Sequence, residues 1–581
     1  MQLTDEQMNA VDLFKKARSL KISAFAGTGK TSTLTALAKA SSKHGLYLAF
    51  NRSVADEAAA KFPKAVDCKT THKLALNGIP SEYRQTEGKL FENVNGNRVA
   101  QLLEVEEIAV GDVTLKPRSL AYLTARTVQR FCQSGDESVT AHHVPMTGKL
   151  QKIDRRYQQE FGTYVGELAA HLWDIMRDPA SPAPLGHDGY LKLWSLSQPM
   201  LDYDYILLDE AQDTNEAVLS VLRQQQTQLT LVGDRHQQIY EWRGAVNAMA
   251  SLDTEAEAVL TRSFRFGDTV ASAATSILRV LHEPRSVIGD PTKRTRIAGA
   301  GSTRTILCRT NAGVVGVVVD ALNESRRPHV VGGVKELVAM LQDVERLKKS
   351  IPALSPELFG FENWYELVEF AESEEGKSLR SFVKIVLAHG ETKLIGMLNS
   401  LPKEELGADL IVSTGHKAKG REWDSVTLHS DFDPRVDKVD PKKMVMSPDE
   451  ARLLYVAATR ARELLVVPPR LAERWNAETS PAIAFPKTSH RTPEVDSIKV
   501  APVPRPVLPS FAKVVAKEKS SPEDKTAQTE GSGRSPSAVA GTSGTTKSIQ
   551  QPAPRDVQNN TSVSKAAGGM LAALVTLIIG S

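Results

Sequence analysis

The chain has 581 residues, which is too long for one domain and suggests about three or four. With 41% hydrophobic and 24% charged residues and a formal net charge of +3, it can bury a large core and is expected to be soluble, and its net charge alone does not indicate nucleic acid. Its three cysteines, Cys68, Cys132 and Cys308, are far apart and lack metal-ligand spacing, which argues against a secreted disulfide framework and favours a reducing compartment.

Strand-like apolar runs alternate with helical patterns from about Lys21 to Val232, which predicts a parallel α/β sheet. The runs that predict its strands are KISAFA, YLAF, DYILLD and LTLVGD. A largely helical stretch, 79–198, splits this series and is interpreted as an insertion. A second α/β series follows, with the runs TRTILCRT, ADLIVSTGH, DSVTLHS and RELLVVP, and a second helix-rich insertion, 331–405, interrupts it.

The composition changes near Pro486. Residues 486–565 are rich in Pro, Gly, Ser and Thr, carry 12 Lys and Arg against 7 Asp and Glu, and cannot build a core, so we predict a disordered basic tail. The apolar segment 566–581 has about 16 uncharged residues, fewer than the roughly 20 needed to span a bilayer. Weak membrane association and a partly ordered C-terminus both stay open for it. The proline-rich part of the tail is a candidate for binding a protein partner.

The stretch AFAGTGKTSTL, from Ala24 to Leu34, places two glycines, a lysine and a threonine between a predicted strand and a predicted helix. Glycines let the backbone curl so that several N–H groups point at one anion, and Lys30 adds a positive charge. The helix that follows offers the positive end of its dipole. The pattern indicates a phosphate-binding loop, with Ala24 where the first glycine of G-x-x-x-x-G-K-[ST] would be. A glycine-rich turn without a ligand is the alternative.

The segment YDYILLDEAQD is an apolar run that ends in adjacent carboxylates, Asp209 and Glu210. Carboxylates at the C-terminal end of a strand lie at the ligand edge of an open α/β sheet. Asp209 is suited to hold Mg²⁺ through water beside the Thr31 hydroxyl, because Mg²⁺ prefers oxygen ligands and keeps its waters. Glu210 would then orient or deprotonate the attacking water. Together with the glycine-rich loop, this segment predicts a nucleotide hydrolase.

Further motifs follow in an order that resembles the superfamily 1 DNA helicases of the UvrD/Rep type, over roughly residues 1–470. LTDEQMNAV resembles the leading Q motif of that family, and LAFNRSVADEA and CKTTHKLA resemble the next two motifs. VGDRHQQIYEWRGA matches the family pattern G-D-x-x-Q-x-I-Y-x-[FW]-R-G-A at every fixed position. LTRSFRF, TGHKAKGREWDSV and EARLLYVAATRAR resemble the remaining motifs, with Phe264 in place of the family's tyrosine. Alanine is common in this family where Ala24 stands.

Several details are closer to one branch of the family, the F-box DNA helicases and their phage and bacterial relatives. They are AFNRSVADEAAAKFP, CKTTHKLAL, GDRHQQIYEWRGAVNA, SFRFG and HKAKGREWD. Because the sequence begins directly at the Q motif, we expect no F-box segment, and the ubiquitin-ligase role of that branch is not carried over.

The resemblance implies an α/β fold with two RecA-like parallel-sheet lobes of the P-loop NTPase type. Each lobe is expected to carry a helix-rich inserted subdomain, and a disordered C-terminal tail follows. The expected boundaries are 1–78 and 199–265 for the first lobe, 79–198 for its helical insertion, 266–330 and 406–485 for the second lobe, 331–405 for the second insertion, 486–565 for the disordered tail and 566–581 for the apolar C-terminal segment.

The resemblance also implies that ATP, with Mg²⁺, is hydrolysed between the lobes, where arginines of the second lobe stabilise charge that develops on the γ-phosphate. It assigns catalysis to Glu210, Gln237, Arg265 and Arg460. It assigns nucleotide binding to Gln7, Ala26, Gly27, Thr28, Gly29, Lys30, Thr31, Ser32, Phe264 and Glu422, with Gln7 at the adenine edge and Phe264 stacked on adenine. It assigns magnesium binding to Thr31 and Asp209.

Single-stranded or tailed duplex DNA is the partner that the resemblance implies. Sequence-independent binding of single strands uses aromatic faces for bases and polar or positive groups for phosphates. The residues assigned to DNA contact are Phe50, Asn51, Thr70, His72, Tyr240, Trp242, Arg243 and His416. Core packing is the alternative for the three aromatic side chains. The adjacent His142 and His143 suggest a metal, but the sequence identifies no third ligand, and we predict no metal site there.

The leading hypothesis is an ATP-dependent helicase that moves 3′→5′ on single-stranded DNA and unwinds duplexes. We expect a monomer, in the cytoplasm for a prokaryotic or phage protein and in the nucleus for a eukaryotic one. A translocase that strips recombinase or other proteins from single strands, with little unwinding, is the second hypothesis. A nucleotide-gated scaffold with little turnover is the third. The intact set of Lys30, Asp209, Glu210, Arg265 and Arg460 argues against that third hypothesis.

Overall fold

The computed structural model describes residues 3–476 apart from 95, 112, 147–149, 151–152, 242–243, 245, 352, 356–357, 359–360, 362, 373–376 and 437–443. The predicted disordered tail, 486–565, and the apolar segment, 566–581, lie outside the described residues. Within the described part of the chain, no helix combines the length and the apolar character that crossing a membrane requires.

Eighteen α-helices lie in the described part of the chain. In chain order they are α1 (Asp5–Lys16), α2 (Lys30–Lys39), α3 (Arg52–Ala59), α4 (Thr71–Gly78), α5 (Gly96–Leu103), α6 (Pro117–Gln133), α7 (Arg155–Arg177), α8 (Gly186–Leu196), α9 (Glu216–Arg223), α10 (Ala248–Ser251), α11 (Asp268–Val280), α12 (Asn311–Asn323), α13 (Lys335–Lys348), α14 (Trp364–Glu372), α15 (Lys377–His389), α16 (Glu391–Asn399), α17 (Pro448–Ala458) and α18 (Pro469–Arg474).

Sixteen strands lie in the same described ranges. In chain order they are β1 (Ser19–Ala24), β2 (Gly45–Ala49), β3 (Val66–Thr70), β4 (Ile108–Val110), β5 (Val113–Leu115), β6 (Tyr205–Leu208), β7 (Gln228–Gly233), β8 (Ala256–Leu260), β9 (Arg296–Ala298), β10 (Thr305–Cys308), β11 (Pro328–Val330), β12 (Leu410–Thr414), β13 (Trp423–Leu428), β14 (Arg435–Val436), β15 (Met444–Val445) and β16 (Ala461–Val466).

The first sheet has six strands in the order β3-β2-β6-β7-β1-β8, and its pairings are parallel. Both faces are covered, because the side chains of a strand alternate between faces and both faces are apolar. Leu46 and Leu48 of β2 pack in a hydrophobic cluster with helices α6, α7 and α8. Tyr47 and Ala49 of the same strand pack in a second cluster with α1, α2 and α3. Strands β1, β6 and β7 therefore all end at one edge of the sheet, where the loops that follow them meet.

The stretch between β3 and β6 is largely helical, as predicted. Helices α5 to α8 pack on one face of the first sheet through the hydrophobic cluster that contains Leu46. The prediction missed a short antiparallel hairpin of β4 and β5, in which Ile108 pairs with Leu115. The boundaries of this insertion stay a prediction.

The second sheet also has six strands, in the order β11-β12-β10-β13-β16-β9, with parallel pairings. Helices α12 to α16 form one hydrophobic cluster with residues of β10 and β12, so the second helix-rich stretch packs on this sheet. Helix α17 begins with a capping box in which Ser447 and Glu450 satisfy each other's backbone N–H groups, and Pro448 follows the cap. These interactions fix the start of a helix that reaches the first sheet.

The two lobes, meaning the two sheets with the elements packed on them, share one hydrophobic cluster. It joins Phe25, Ala26 and Ile239 from loops of the first lobe to Phe266 and Tyr455 of the second. The first four of these are at most 7% exposed and Tyr455 is 0% exposed. Side chains from both lobes therefore meet beside the loops that follow β1 and β7.

The predicted fold class, α/β with two parallel sheets interrupted by helical stretches, is confirmed. Each of the eight apolar runs predicted as strands overlaps one strand, and these strands are β1, β2, β6, β7, β10, β12, β13 and β16. Four strands of the two sheets were missed: β3, β8, β9 and β11. All four are edge strands. Strands β3, β8 and β9 contain half-buried or exposed residues, which weakens their apolar signal, and β11 is buried but has only three residues.

Candidate active site between the lobes

The loop after β1 is glycine-rich because its backbone needs positive φ angles. Gly27 has φ +77° and Gly29 has φ +79°. A Cβ atom on Gly27 would lie 2.4 Å from Ser263 Oγ and 2.7 Å from Arg265 Cβ, so a side chain there would collide with the segment after β8. Helix α2 starts at Lys30, directly after the loop. This arrangement presents backbone N–H groups and a helix N-terminus to one side, as phosphate-binding loops do.

Lys30 and Glu210 form an ion pair at the edge where β1 and β6 end. Lys30 Nζ lies 2.8 Å from Glu210 Oε1, with the side chains 14% and 25% exposed. Glu210 has φ +50°, a left-handed conformation that costs a non-glycine residue about 1–3 kcal/mol. Burial opposes ionisation of Glu210, but Lys30 and Lys419 offset it and lower its pKa. The backbone is thus held in an unfavourable conformation at a carboxylate that stays charged.

Asp209 is buried beside Glu210. Its Oδ2 accepts a hydrogen bond from the Tyr47 hydroxyl at 2.7 Å, and its Oδ1 accepts one from the Glu210 backbone N–H at 2.9 Å. Burial, followed by the negative charge of Glu210, raises the pKa of the Asp209 carboxyl. A nearby cation would stabilise its charged form.

The Gln237 side-chain amide is held at both ends. Its nitrogen donates to Asp234 Oδ2 at 2.8 Å, and its oxygen accepts from Arg460 Nη2 at 3.3 Å. Arg460 is 2% exposed, and its Nε donates to the Val456 carbonyl at 2.8 Å. Burial, followed by the charge of Arg265, lowers the pKa of Arg460 to about 9, which leaves it charged at neutral pH. A first-lobe amide and a second-lobe guanidinium are therefore in contact.

Arg265 and Glu422, predicted for catalysis and nucleotide binding, form an ion pair. Arg265 Nε donates to Glu422 Oε2 at 2.6 Å, and its Nη1 donates to the Thr459 carbonyl at 3.1 Å. Burial opposes ionisation of Glu422, but Arg265 lowers its pKa below the usual range. Glu422 therefore orients Arg265 here, and its contact with a nucleotide stays a prediction.

Gln7 and Phe264, the two residues predicted at adenine, both lie next to Gly29. A Cβ atom on Gly29 would be 3.2 Å from Gln7 Nε2 and 3.5 Å from the Phe264 ring. Gln7 is 4% exposed, donates to Thr33 Oγ1 at 3.1 Å, and completes a capping box with Thr4. The structure brings the two side chains to the same side of the loop, and their contact with a base stays a prediction.

The remaining predicted loop residues differ in exposure. Ala26 and Thr28 are each 1% exposed, and the Thr28 hydroxyl donates to the Phe25 carbonyl at 2.9 Å. Thr31 is half-buried in the first turn of α2, whereas Ser32 is exposed. Ala26 and Thr28 therefore belong to the buried part of the loop, whereas Thr31 and Ser32 are accessible to solvent.

The sequence analysis did not single out Lys419 and Asp213, which form a buried ion pair between the lobes. Their side chains are 7% and 0% exposed. Lys419 Nζ also donates to the Gln237 carbonyl at 2.6 Å and lies 5.3 Å from the centroid of the Tyr240 ring. Burial raises the pKa of Asp213 to about 6, against the opposing effect of Lys419. Both residues stand inside quoted motifs, but they are 206 residues apart, and no local pattern indicates that they pair.

Glu283 is a third residue of this region that the sequence did not single out. It follows α11 of the second lobe, its side chain is 1% exposed, and it binds His236 Nε2 at 2.9 Å and Arg235 Nη2 at 2.7 Å. Arg285 Nε lies 2.9 Å from its other oxygen. Burial opposes ionisation, but hydrogen bonds from His236 and Arg285 lower the pKa of Glu283 to about 2. This carboxylate ties the second lobe to the segment directly before Gln237.

Two residues predicted to contact DNA form an aromatic pair. The Phe50 and Tyr240 rings stack with centroids 5.9 Å apart and planes 16° apart. Phe50 is 45% exposed, which does not fit the alternative of a core residue, whereas Tyr240 is half-buried. The Tyr240 hydroxyl donates to the His416 carbonyl at 3.0 Å, so this ring also touches the second lobe.

The other predicted DNA residues have structural roles of their own. Asn51 caps α3 by accepting from the Val54 N–H at 2.9 Å, and Thr70 caps α4 by accepting from the Lys73 N–H at 3.1 Å. His72 is exposed on α4, with its ring 6.0 Å from that of His187. None of these contacts excludes DNA. Trp242 and Arg243 lie outside the described residues.

The sequence identifies no third ligand for His142 and His143, whereas the structure places one beside them. Asp136 Oδ2 lies 2.8 Å from His142 Nε2 and 2.9 Å from His143 Nε2. The sequence offered no sign of it, because Asp136 is brought back by the turn before the histidines. The distances are those of N–H···O hydrogen bonds, which account for the cluster without a metal.

Comparison with known proteins assigns both lobes. The family described as the UvrD/REP helicase N-terminal domain matches residues 3–256, and the family described as the UvrD-like helicase C-terminal domain matches residues 331–468. The two matches include the loops of Lys30, Glu210 and Gln237 and the helix before Arg460.

Individual relatives agree with these matches. The chain is 32% identical over 505 residues to F-box DNA helicase 1 of Gallus gallus, covering 80% of this chain and 49% of that protein. It is 29% identical over 509 residues to F-box DNA helicase protein 1 of Schizosaccharomyces pombe, covering 80% and 57%. A probable DNA helicase II homolog of Mycoplasma pneumoniae is 33% identical over 102 residues, covering 16% and 14%. The chain thus spans about half the length of the first two relatives. With both domain families matched in order along its two lobes, the chain belongs to the UvrD/REP helicases.

Proposed function

We propose that this protein is an ATP-dependent DNA helicase that moves along single-stranded DNA, 3′→5′, and couples ATP hydrolysis to duplex unwinding. The observation that carries the proposal is the direct contact between Gln237 of the first lobe and Arg460 of the second, beside the Lys30–Glu210 pair. A hydrolase whose catalytic groups come from two lobes completes its pocket only when the lobes close. Hydrolysis is thereby linked to lobe motion, which a translocating motor requires.

Each group has a proposed task in hydrolysis. Lys30 and the loop N–H groups bind the β- and γ-phosphates, and Glu210 orients or deprotonates the attacking water. Lys30 Nζ lies 2.8 Å from Glu210 Oε1, so the proposed phosphate-binding lysine and the proposed water-positioning carboxylate stand side by side. Arg265 and Arg460 stabilise the charge that develops on the γ-phosphate, a contribution worth about 10³–10⁵ in rate in GTPases.

The residues at Thr31 and Asp209 fit Mg²⁺. Asp209 presents two carboxylate oxygens, each with one hydrogen bond from the protein and remaining acceptor capacity, and Thr31 offers a hydroxyl. Mg²⁺ prefers hard oxygen ligands and keeps several of its waters, so a site with few oxygen donors from the protein suits it. Bound Mg²⁺ would neutralise charge on the β- and γ-phosphate oxygens.

A short chain of contacts supports coupling between DNA and ATP. The Phe50–Tyr240 pair offers ring faces on which bases can stack. Lys419 lies over the Tyr240 ring and donates to the Gln237 carbonyl, so one side chain touches both the DNA-facing pair and the proposed γ-phosphate sensor. Movement of the Tyr240 ring on DNA binding would therefore shift the Lys419 ammonium and the Gln237 backbone.

Strand displacement with ATP on 3′-tailed and 5′-tailed duplexes tests the proposal. We expect displacement of the 3′-tailed substrate and hydrolysis that single-stranded DNA stimulates. Displacement of only the 5′-tailed duplex would contradict the direction. Stimulated hydrolysis without displacement of either duplex would favour the translocase that strips proteins. Hydrolysis that DNA leaves unchanged would contradict both.

A further inference from the structure

The hydroxyl of Tyr455 lies between the lobes and has no role in the assignments above. Tyr455 belongs to α17 of the second lobe and is 0% exposed. Its Oη accepts from the backbone N–H of Ala26 in the glycine-rich loop at 3.0 Å. The same Oη donates to Asp234 Oδ2 at 3.0 Å. One hydroxyl of the second lobe therefore binds two separate loops of the first.

Asp234 links the Tyr455 hydroxyl to Gln237. Its Oδ2 accepts from both Tyr455 Oη and Gln237 Nε2, and its Oδ1 accepts from the His236 N–H at 3.0 Å. Asp234 is 2% exposed, so water does not replace a lost donor easily. Buried polar groups in such a chain orient one another, and the loss of one donor frees the next group to rotate.

Tyr455 and Arg460 are fixed to one element. Helix α17 ends at Ala458, and Arg460 follows in the turn, with its Nε bonded to the Val456 carbonyl at 2.8 Å. The Arg460 guanidinium reaches Gln237 Oε1, while the Tyr455 hydroxyl reaches Asp234, which holds Gln237 Nε2. The position of α17 therefore affects the hydrogen bonds at both ends of the Gln237 side-chain amide.

The hydroxyl is a reliable donor in this environment. Burial, followed by the nearby charge of Asp234, raises the pKa of Tyr455 well above its usual range. The phenol is therefore protonated at any pH at which the protein works, and its hydrogen is committed to Asp234.

We propose that the Tyr455 hydroxyl is a positioning group for ATP hydrolysis, which orients Asp234 and through it Gln237 when the second lobe closes on the glycine-rich loop. The inference rests on the proposed function and goes beyond it, because it names the contact through which closure of the lobes orients Gln237, the proposed γ-phosphate sensor. It predicts a loss of turnover with little change in nucleotide affinity.

The test is Tyr455→Phe in the full chain, which removes one oxygen and keeps the ring. With oligothymidylate as single-stranded DNA, we expect the single-turnover rate at saturating ATP to fall about 10- to 100-fold, the range for leaving buried partners unpaired. ATP affinity should stay within about twofold. Tyr83→Phe is the matched control, because the Tyr83 hydroxyl is also a buried donor, to the Arg177 carbonyl at 2.5 Å, but lies in the helical insertion. It should hydrolyse ATP at the wild-type rate.

A double variant separates positioning from general destabilisation. If Tyr455 acts through Gln237, Tyr455→Phe combined with Gln237→Ala should be no slower than Gln237→Ala alone. Losses that multiply would overturn the inference, as would a normal rate in Tyr455→Phe or a lower melting temperature with an unchanged rate per folded molecule. A wild-type protein without DNA-stimulated hydrolysis would instead contradict the proposed function, so the two failures are distinguishable.

Discussion

The proposed nucleotide side and the proposed DNA side of the contact between the lobes are built in opposite ways. On the nucleotide side, Gln237 and Arg460 are nearly inaccessible to water and bound to each other. On the proposed DNA side, Phe50 is 45% exposed and stacks on Tyr240. Hydrolysis needs fixed charges in a dry pocket, because their effect on developing charge depends on low dielectric and fixed orientation. Movement along a strand needs open faces that accept any base.

The difference between the two sides predicts different consequences of mutation. A change on the nucleotide side should alter rates by orders of magnitude with modest effects on binding. A change on the DNA side should alter binding by a smaller factor and leave basal hydrolysis intact. The five variants below test this contrast, from the largest expected effect to the smallest.

Arg460→Ala should have the largest effect. The guanidinium contacts Gln237 and would face charge that is greatest in the transition state, so single-turnover hydrolysis should fall by about 10³–10⁵. ATP affinity, measured by calorimetry, should change little. Arg327→Ala is a control, because that side chain of the second lobe is 67% exposed and pairs with Asp409 at the surface. A fall of less than tenfold in Arg460→Ala would remove this residue from the proposed pocket.

Glu210→Gln should follow, with hydrolysis reduced by about 10²–10⁴, the range for a general base. The amide keeps the size of the side chain and a hydrogen bond with Lys30, so ATP should still bind. Lys30→Ala should differ by weakening ATP affinity as well, because it removes charge from the phosphates themselves. Near-normal turnover in Glu210→Gln would contradict its assignment to the attacking water.

Glu283→Gln should lower the free energy of unfolding rather than the rate of hydrolysis. It removes the charge shared by His236, Arg235 and Arg285, and the loss of charged hydrogen bonds is worth about 1.5–3 kcal/mol. Because the folded pKa of Glu283 is about 2, below its ordinary value of 4.5, its contribution is present above about pH 4.5 and is lost as the pH falls towards 2. Melting temperatures from pH 7 to 3 should therefore converge for wild type and variant. A difference in melting temperature that stays constant across that pH range would contradict the lowered pKa of Glu283.

Phe50→Ala should act on DNA alone. If bases stack on this ring, single-strand affinity should fall by about 1–3 kcal/mol, with basal hydrolysis and melting temperature nearly unchanged. Tyr365→Ala is the control, since that ring is 74% exposed on α14 of the second insertion. A marked drop in melting temperature with unaltered DNA affinity would make Phe50 a packing residue and weaken the contrast between the two sides.

Truncation after Pro486 should have the smallest effect. The recognised motifs end before residue 470, and the matched family regions end at 468. DNA-stimulated hydrolysis should stay within about twofold of the full chain. A folded but inactive truncated protein would show that the tail takes part in the reaction.

Much of the fold was predictable because the central strands are strongly apolar. Runs such as DYILLD and LTLVGD contain β6 and β7, which have neighbours on both sides and are covered on both faces. The edge strands β3, β8 and β9 escaped prediction because they contain half-buried or exposed residues, and β11, although buried, has only three residues. The β4–β5 hairpin escaped for a related reason, since each of its strands has only three residues.

The part of the candidate site that could be predicted consists of residues inside recognisable motifs. The Lys30–Glu210 and Gln237–Arg460 contacts join residues singled out from the sequence. The Lys419–Asp213, Glu283–Arg235 and Asp136–His143 contacts join positions 206, 48 and 7 residues apart in the chain, and no local pattern specifies such pairings. Tertiary structure alone shows which charge faces which.

The hydrophobic cluster shared by the lobes has a thermodynamic consequence. Separating the lobes would expose Phe25, Ile239 and Phe266 to water, and exposure of apolar surface raises the heat capacity. Closure driven by a nucleotide should therefore carry a negative heat-capacity change, so its measured enthalpy becomes more exothermic on warming. For the proposed motor, the equilibrium between open and closed lobes would then depend on temperature as well as on ligand, and the closed state would be less stable in the cold.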